Sequence, residues 1–270
     1  MKDMEQKVLV NVAPVAATDK VIIPEKIAED VYECYKAGAA MVHLHVRDRE
    51  GNLTKDMTLL EETLAMIRRD SDIVIEVSTG GVSNLTIEER CAPLYSGLVE
   101  ACSLNVGSTN LGKAVYCNPI DDVEYCVREM LKQKKTPEVE TFEIGHTWAM
   151  TQLMKKYEFA DPVLFSVVLG HEGEAPATPQ ALAAMIQMIP AGTIWGITQA
   201  NRRDFSLLAG AVGMGAKTVR IGFEDSNYLN AVTQADTNAP LVAKTVRMLR
   251  AMDKEPMTPG EAREFFGIGR

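Results

Sequence analysis

Several features that define large classes of protein are missing from this chain. Its cysteines are odd in number, scattered and without CxxC spacing: Cys34, Cys91, Cys102, Cys117 and Cys126. Such a set predicts reduced thiols rather than a disulfide framework. No apolar run approaches the ~20 residues of a membrane span, and residues 1–7 are too polar to open a secretory signal. We therefore predict a cytoplasmic protein that has no membrane partner.

A surplus of positive charge is also missing. The formal net charge is -9 and the isoelectric point is near 5.1. Nucleic acids and anionic membranes require a basic face, so we predict that the chain binds neither. Any anionic ligand must then meet a local group of cations.

What the chain does contain is enough apolar sequence for one large core. Hydrophobic residues make up 46% of its 270 residues, and no Gly-, Ser- or Pro-rich linker divides them. A length of about 250 residues is typical of a single α/β barrel. We predict one catalytic domain over residues 1–270.

Strand-like and helix-like segments alternate from end to end. Apolar and β-branched residues predict strands at 8–13, 40–46, 73–78, 99–106, 138–143, 163–169, 193–198 and 218–223. Amphipathic patterns predict helices at 24–37, 59–68, 86–94, 121–133, 147–157, 179–189, 204–214 and 240–252, with a short one at 259–266. This alternation favours parallel strands, and eight repeats suit a (β/α)8 TIM barrel. A doubly wound open sheet is the alternative.

Two of these strands carry an unusual set of polar side chains. Residues two apart on a strand face the same side, which groups His43 with His45 on the second strand and Arg220 with Glu224 on the eighth. Two imidazoles and a carboxylate with room for a substrate are typical of a catalytic divalent metal site. The alternatives are a hydrogen-bonded core position for the histidines and an ion pair with Arg220 for Glu224.

Polar residues also gather at the C-terminal ends of the strands, where a TIM barrel places its chemistry. Asp225 either caps a turn or acts as a base beside the metal. Residues 78–81, Ser-Thr-Gly-Gly, form either a plain turn or a cradle whose backbone N–H groups bind an anion. Arg202 and Arg203 either begin a solvated helix or bind phosphate after the seventh strand. The candidate substrate contacts are Ser78, Thr79, Gly80, Gly81, Asn105, Ser108, Glu140 and Glu143.

Three segments together resemble a known family. They are His-Leu-His-Val-Arg-Asp at 43–48, Ser-Thr-Gly-Gly at 78–81, and Arg-Ile-Gly-Phe-Glu-Asp at 220–225. They are similar to segments of the β-keto acid cleavage enzymes, typified by 3-keto-5-aminohexanoate cleavage enzyme. Spacing and strand order agree over essentially the whole chain.

The resemblance implies a zinc-bearing TIM barrel that is usually a homotetramer. The family reaction converts a β-keto acid and acetyl-CoA into acetoacetate and the CoA ester of the remaining acyl group. By this resemblance His43, His45 and Glu224 bind the zinc, and Asp225 is the base with Arg220 beside it. Two histidines and a carboxylate also accept manganese, cobalt or iron.

The resemblance also implies contacts for the substrate. Ser78 of the third-strand turn and the adjacent Thr79 contact it, and Glu140 or Glu143 meets its distal end. The first strand departs from the family, because residues 13–18 read Ala-Pro-Val-Ala-Ala-Thr where the family usually continues into Thr-Gly-Ala near an acidic residue. This departure argues against the amino-keto acid itself as substrate.

Two other functions fit parts of the pattern. Amidohydrolase-type metal hydrolases also use an HxH strand, later histidines such as His146 and His171, and a last-strand aspartate such as Asp225. Here the HxH pair lies on strand two rather than one, no lysine ends strand four, and Glu224 is not part of that pattern. The other alternative is a metal-stabilised binding barrel without catalysis. The crowding of polar residues at one end of the strands argues against it.

Overall fold

Eight parallel strands close into a barrel in the computed structural model, which describes residues 4–268. The strands are β1 (Lys7–Val12), β2 (Met41–Leu44), β3 (Val74–Ser78), β4 (Ala101–Asn105), β5 (Thr136–Thr141), β6 (Leu164–Leu169), β7 (Ile194–Gln199) and β8 (Thr218–Ile221). Each strand pairs with the next, and β8 pairs with β1, which closes the sheet. The predicted (β/α)8 barrel is confirmed, and the open-sheet alternative is wrong.

A helix follows each barrel strand on the outside. The helices are α1 (Pro24–Ala37), α2 (Thr58–Asp70), α3 (Ile87–Arg90), α4 (Ile120–Lys132), α5 (Ile144–Lys156), α6 (Pro179–Ile186), α7 (Ser206–Gly213), α8 (Ala239–Ala251) and the terminal α9 (Pro259–Phe266). Their apolar stripes pack on the strands and form the larger core. Within residues 4–268, no helix has the length and apolar character needed to cross a bilayer.

The ends of the helices follow local sequence signals. Pro24 opens α1, and Gly38 ends it at φ 112°, a conformation that glycine adopts at little cost. Thr86 and Glu89 form the predicted capping box of α3. The prediction of a helix to residue 94 is wrong, because α3 ends at Arg90 and a 3-10 turn, Ala92–Tyr95, follows. Proline disfavours the α conformation in the residue before it, and Pro93 sits in this turn.

Two short hairpins lie outside the predicted elements. Thr109–Leu111 pairs with Ala114–Tyr116 after β4, and Tyr228–Asn230 pairs with Thr233–Gln234 after β8. Strands of two or three residues give no readable alternation. Both hairpins follow the C-terminal ends of barrel strands, so they build the mouth of the site.

The barrel interior changes character along its axis. Apolar side chains fill its N-terminal end and pack on α9: Leu9, Ala40, Met41, Val74, Ala101, Leu164, Met257, Ala262, Phe266 and Ile268. Full burial of a side chain such as Phe266 stabilises the fold by about 1.5–3 kcal/mol. Polar side chains, including Asn11, Glu76 and Glu138, are buried further along the same strands. The interior therefore becomes polar toward the end where the site lies.

Candidate active site

Three side chains with metal-binding atoms meet at the C-terminal end of the barrel. The Nε2 atoms of His43 and His45 are 3.4 Å apart, and Glu224 Oε1 lies 3.8 Å from the first and 3.4 Å from the second. Ligands ~2.0–2.2 Å from a tetrahedral ion lie about 3.3–3.6 Å from one another. The triangle therefore fits a divalent ion with little adjustment. Among residues 4–268, this is the one His, Cys, Asp or Glu group of three whose ligand atoms come so close.

The backbone after β8 brings two neighbouring acids to the same cavity. β8 ends at Ile221, and Gly222 follows at φ 145°. A Cβ at Gly222 would lie 2.2 Å from the carbonyl oxygen of Ala13, so only glycine fits. Beyond this turn Glu224 and Asp225 both line the cavity. The predicted strand to residue 223 is therefore too long, and strand alternation does not apply to the two acids.

Arg220 binds three carboxylates at the centre of the site. Its Nη2 and Nε donate to Oδ1 and Oδ2 of Asp225 at 2.6 and 3.1 Å. Nη1 donates to Glu140 Oε1 at 2.8 Å, and Nη2 also donates to Glu224 Oε1 at 3.3 Å. Paired charge-assisted bonds of this kind fix geometry as well as charge. The guanidinium therefore holds Asp225 in one orientation beside Glu224.

The two neighbouring acids differ in proton affinity. Burial raises the pKa of Asp225 above its ordinary value, although the charge of Arg220 opposes the shift. Burial also opposes ionisation of Glu224, but the charges of His45 and Arg220 outweigh it and hold the pKa of Glu224 well below its ordinary range. Glu224 is thus suited to bind a cation, and Asp225 is suited to accept a proton.

The cavity beside these groups has a volume of about 80 Å³. Four of the predicted substrate contacts line it: Ser78, Gly81, Asn105 and Glu140. Asn105 Nδ2 donates to Glu140 Oε2 at 2.9 Å, which ties both side chains to the Arg220 group. The rest of the lining consists of residues that we did not predict as contacts: Leu111, Tyr116, Phe142, Val168 and His171.

Comparison with known sequences agrees with this geometry. The sequence profile of the family described as beta-keto acid cleavage enzyme matches residues 10–268. The chain belongs to the β-keto acid cleavage enzyme family. It is 32% identical over 248 residues to the 3-keto-5-aminohexanoate cleavage enzyme of Acetoanaerobium sticklandii, covering 91% of this chain and 90% of the relative. The predicted resemblance, and with it a carbon–carbon-cleaving enzyme, is confirmed.

Other members and neighbours extend the comparison. The chain is 31% identical over 290 residues to the 3-dehydrocarnitine:acetyl-CoA trimethylamine transferase of Rhizobium meliloti, with 96% of each covered. The solved structure of ObcA without ligand superposes with a TM-score of 0.77 at 19% identity, over 92% of this chain. The chain spans 65% of the length of ObcA, and this likeness concerns the fold alone.

Some predicted contacts of the cleavage enzyme lie outside the cavity wall. Thr79 is buried and its hydroxyl donates to the carbonyl oxygen of Ser103 at 2.6 Å. The N–H of Gly80 donates to Ser78 Oγ at 3.1 Å, and a Cβ there would lie 1.3 Å from Tyr116 Oη. These two residues therefore shape the turn, while Ser78 and Gly81 line the cavity.

Two further predicted contacts lie further out. Ser108 is exposed, and its Oγ accepts from the N–H of Asn118 at 2.8 Å. Glu143 is half-buried at the start of α5 and is not part of the cavity wall. Near it, Glu174 has no hydrogen-bond partner for either carboxylate oxygen among residues 4–268. Burial, with the charges of Glu143 and Glu140, raises the pKa of Glu174 to about 8.

The adjacent arginines after β7 have different environments. The side chain of Arg202 is buried, and its guanidinium donates to the carbonyl oxygens of Tyr228 at 2.7 Å and Ser226 at 3.4 Å. This corrects the prediction of Arg202 as a phosphate contact, because its donors are already used inside the fold. Arg203 is exposed and stacks 3.9 Å over the Tyr228 ring.

The later histidines do not join the metal group. His146 Nδ1 accepts from the N–H of Phe142 at 3.3 Å, so its Nε2 carries the proton and donates to the Ser108 carbonyl at 3.3 Å. Both nitrogens of His146 are thereby used in holding loops. His171 lines the far wall of the cavity. The amidohydrolase pattern, in which such histidines bind metal, is not formed.

A buried group behind His43 was missed by sequence reasoning. Glu76 and Glu138 lie in the middle of apolar strands and are 0% and 4% exposed. Burial raises the pKa of Glu76 to about 7 and that of Glu138 well above its ordinary value. A carboxylate within an apolar strand is the signal that could have identified these two residues.

Proposed function

We propose that this enzyme converts a β-keto acid and acetyl-CoA into acetoacetate and the CoA ester of the remaining acyl group. The observation that carries the proposal is the triangle of His43, His45 and Glu224, with Asp225 held beside it by Arg220. The names of two relatives support the same pair of substrates, because one name includes a keto acid and the other includes acetyl-CoA.

His43, His45 and Glu224 would hold the ion, and zinc is our first choice because a tetrahedral N2O set with an open position suits it. When bound, the ion supplies Lewis acidity that stabilises negative charge on the keto and carboxylate oxygens of the substrate. The fit of the three side chains supports a divalent ion, and the choice of zinc is the finer part of the proposal. Metal analysis of the purified protein tests it.

Asp225 takes the proton from the carbon between the two carbonyl groups. Its raised pKa makes it a stronger base than an ordinary carboxylate, and the two bonds from Arg220 keep it aimed at one position. Arg220 also offsets the negative charge that Glu140 and Glu224 bring to the site. Proton transfer is therefore assigned to Asp225 and its orientation to Arg220.

The remaining bonds change in a balanced sequence. The enolate carbon attacks the carbonyl carbon of acetyl-CoA, and the CoA thiolate leaves. The thiolate then attacks the distal ketone, the carbon–carbon bond beside that ketone breaks, and the acyl-CoA forms. Acetoacetate is released after its carbanion recovers the proton held by Asp225. Ser78, Gly81 and Asn105 line the space in which these intermediates are held.

We also propose that the distal end of the acyl group is neutral or cationic. Glu140 lines the cavity, where Tyr116 and Phe142 supply apolar surface, and Glu143 and Glu174 are close enough to interact electrostatically. Among the described residues lining the cavity, the single arginine or lysine is Arg220, which is already bound to three carboxylates. A second carboxylate on the substrate would therefore meet no available cation.

Acetyl-CoA is proposed to enter along an open cleft of about 550 Å³ that reaches Asp225. Residues 16–19 and 223–228, with Asn201 and Arg203, line this cleft. Arg203 places an exposed guanidinium in this cleft, and it is our candidate contact for the phosphates of CoA. Arg203→Ala should raise the KM for acetyl-CoA about fivefold, the effect of ~1 kcal/mol at an exposed site, whereas Arg247→Ala on α8 should not.

The direct test is a product assay. Zinc-loaded protein is mixed with acetyl-CoA and β-keto acids whose distal ends are neutral, cationic or anionic, and products are identified by mass spectrometry. Acetoacetate together with a new acyl-CoA is expected from a neutral or cationic acid and not from the anionic one. Release of free acid and carbonyl fragments without CoA transfer would favour hydrolysis instead.

Three further proposals, which do not concern the reaction, rest on the resemblance and the composition. They are a homotetramer, a cytoplasmic location and one catalytic domain over residues 1–270. A sedimentation mass near four times the 29.6 kDa chain tests the first. Limited proteolysis tests the domain, and fractionation of the source cells tests the location.

A further inference from the structure

The reaction described above does not use the buried group behind His43. Glu76 Oε2 lies 2.9 Å from His43 Nδ1 and accepts from it. Asn11 Nδ2 donates to the same Glu76 oxygen at 2.9 Å and to Glu138 Oε2 at 3.2 Å. Asn11 therefore bridges the two buried carboxyl groups. All four side chains are buried.

The barrel register places these residues together. His43 on β2 pairs directly with Glu76 on β3, and Asn11 on β1 pairs with Met41 on β2. Glu138 reaches the same point from β5 across the interior. Each side chain therefore comes from a different strand of a closed sheet, which leaves little freedom to the cluster.

The hydrogen-bond directions determine the state of His43. When Glu76 is ionised, its Oε2 accepts from both Asn11 Nδ2 and His43 Nδ1, which places the His43 proton on Nδ1. A neutral imidazole with its proton on Nδ1 has its lone pair on Nε2. That nitrogen is the one facing His45 and Glu224.

We propose that Glu76 is a positioning residue of the metal centre, and that Asn11 and Glu138 hold it in place. It fixes the ring orientation of His43 and keeps Nε2 available for the ion. This inference rests on the metal site proposed above. The alternative is that the cluster only fills the barrel core, in which case its loss would alter stability but not metal binding.

Two substitutions at Glu76 separate these roles. Glu76→Gln keeps an acceptor oxygen for His43 and a donor toward Glu138, whereas Glu76→Met fills similar space without either. Zinc affinity is measured by competition with a chromophoric chelator, and the visible spectrum is recorded for the cobalt-loaded protein. Loss of a partner that orients a metal ligand weakens binding by about 10- to 100-fold. We expect that loss and an altered cobalt spectrum for Glu76→Met, and near-normal behaviour for Glu76→Gln.

Ser166→Ala provides a matched control. Ser166 is also buried in the barrel interior, and its hydroxyl is bonded to that of Thr198 at 3.2 Å. Its removal deletes an interior hydrogen bond of a similar kind that has no link to His43. Zinc affinity should be unchanged in this variant, while the thermal stability of the metal-free protein should fall as in Glu76→Met.

A second measurement needs no substitution that could disturb folding. The chain has four histidines, so side-chain nitrogen-15 shifts of metal-free wild-type protein can be assigned. His43 should be the Nδ1–H tautomer, and an Nε2–H tautomer would overturn the inference. Unchanged zinc affinity in Glu76→Met, or equal weakening in Glu76→Gln, would overturn it as well and leave the metal site standing. Failure of the wild type to bind zinc would instead contradict the proposed metal site itself.

Discussion

The two walls of the cavity are built by different means. On one wall, His43, Glu140 and Arg220 come from barrel strands, and each is hydrogen-bonded to a buried neighbour. On the other wall, Tyr116 comes from a hairpin, His171 from a loop and Val168 from the end of β6. Strands fix side chains within a closed sheet, whereas loops tolerate change. The comparison teaches that the proposed reactive groups and the proposed selective groups are supported by different parts of the fold.

The largest loss of activity should come from substitutions in the wall whose residues lie on barrel strands, here called the strand-built wall. His43→Ala and His45→Ala remove one of three metal ligands, and the several kcal/mol that a Lewis acid supplies correspond to about a 1,000-fold loss of turnover. Metal content by mass spectrometry should fall in parallel. His171→Ala on the loop-built wall should keep its metal. Full activity in either histidine variant would contradict the assignment of these residues as metal ligands.

Asp225→Asn should separate metal binding from chemistry. The amide cannot take a proton, and loss of a positioned base costs about 10²- to 10⁴-fold in kcat, while His43, His45 and Glu224 stay in place. Enzyme-dependent exchange of the substrate's central protons with D₂O measures this step without acetyl-CoA. Asp204→Asn, which changes an exposed acid, is the control and should exchange normally. Normal exchange in Asp225→Asn would assign the base elsewhere.

Val168→Ala tests the selective wall. Val168 lines the cavity, and a pocket enlarged by a few atoms changes discrimination between substrates by ~1–3 kcal/mol, or about tenfold or more. We expect relative kcat/KM to shift toward longer acyl groups, with metal content unchanged. Val139→Ala deletes the same atoms from the core outside the barrel. It should lower stability without changing selectivity.

The smallest effect concerns the half-buried carboxylate of Glu174. Folded protein keeps this proton up to a pKa of about 8, whereas an unfolded chain releases it near the ordinary value. Stability should therefore fall as pH rises through that window. Glu174→Gln removes the dependence, so the variant should match wild type at pH 4 and exceed it at pH 9, by about 1 kcal/mol because solvent screens the half-buried group. Urea unfolding at the two pH values measures the difference, and equal curves at pH 9 would contradict it.

The strand-built wall was the part that sequence could predict. His43 lies on β2 and His45 follows its end, yet their side chains meet as strand alternation, a local property, predicts. The rule that TIM barrels place their active sites at the C-terminal ends of the strands also needs no knowledge of distances. Glu76 and Asn11 were not predicted, because their partnership depends on the register between strands. The sequence alone does not decide whether Asp225 caps a turn or acts as a base. The direction of its side chain depends on the turn at Gly222, which packs against Ala13.

The loop-built wall was mostly beyond sequence reasoning. Tyr116 lies on a hairpin of three-residue strands, too short to show a period. Arg202 and Arg203 are identical in type and adjacent, yet one is buried and the other exposed. Only tertiary packing distinguishes them. Loops carry few local rules, so the residues that select a substrate are the hardest to predict.

Isotope labelling tests the central claim most directly. Acetyl-CoA labelled with carbon-13 at both acetyl carbons is supplied with an unlabelled β-keto acid, and the products are read by NMR and mass spectrometry. The account predicts label at C3 and C4 of acetoacetate and none in the new acyl group, because the enolate attacks the labelled thioester. Label in the acyl-CoA, or acetoacetate without label, would contradict it.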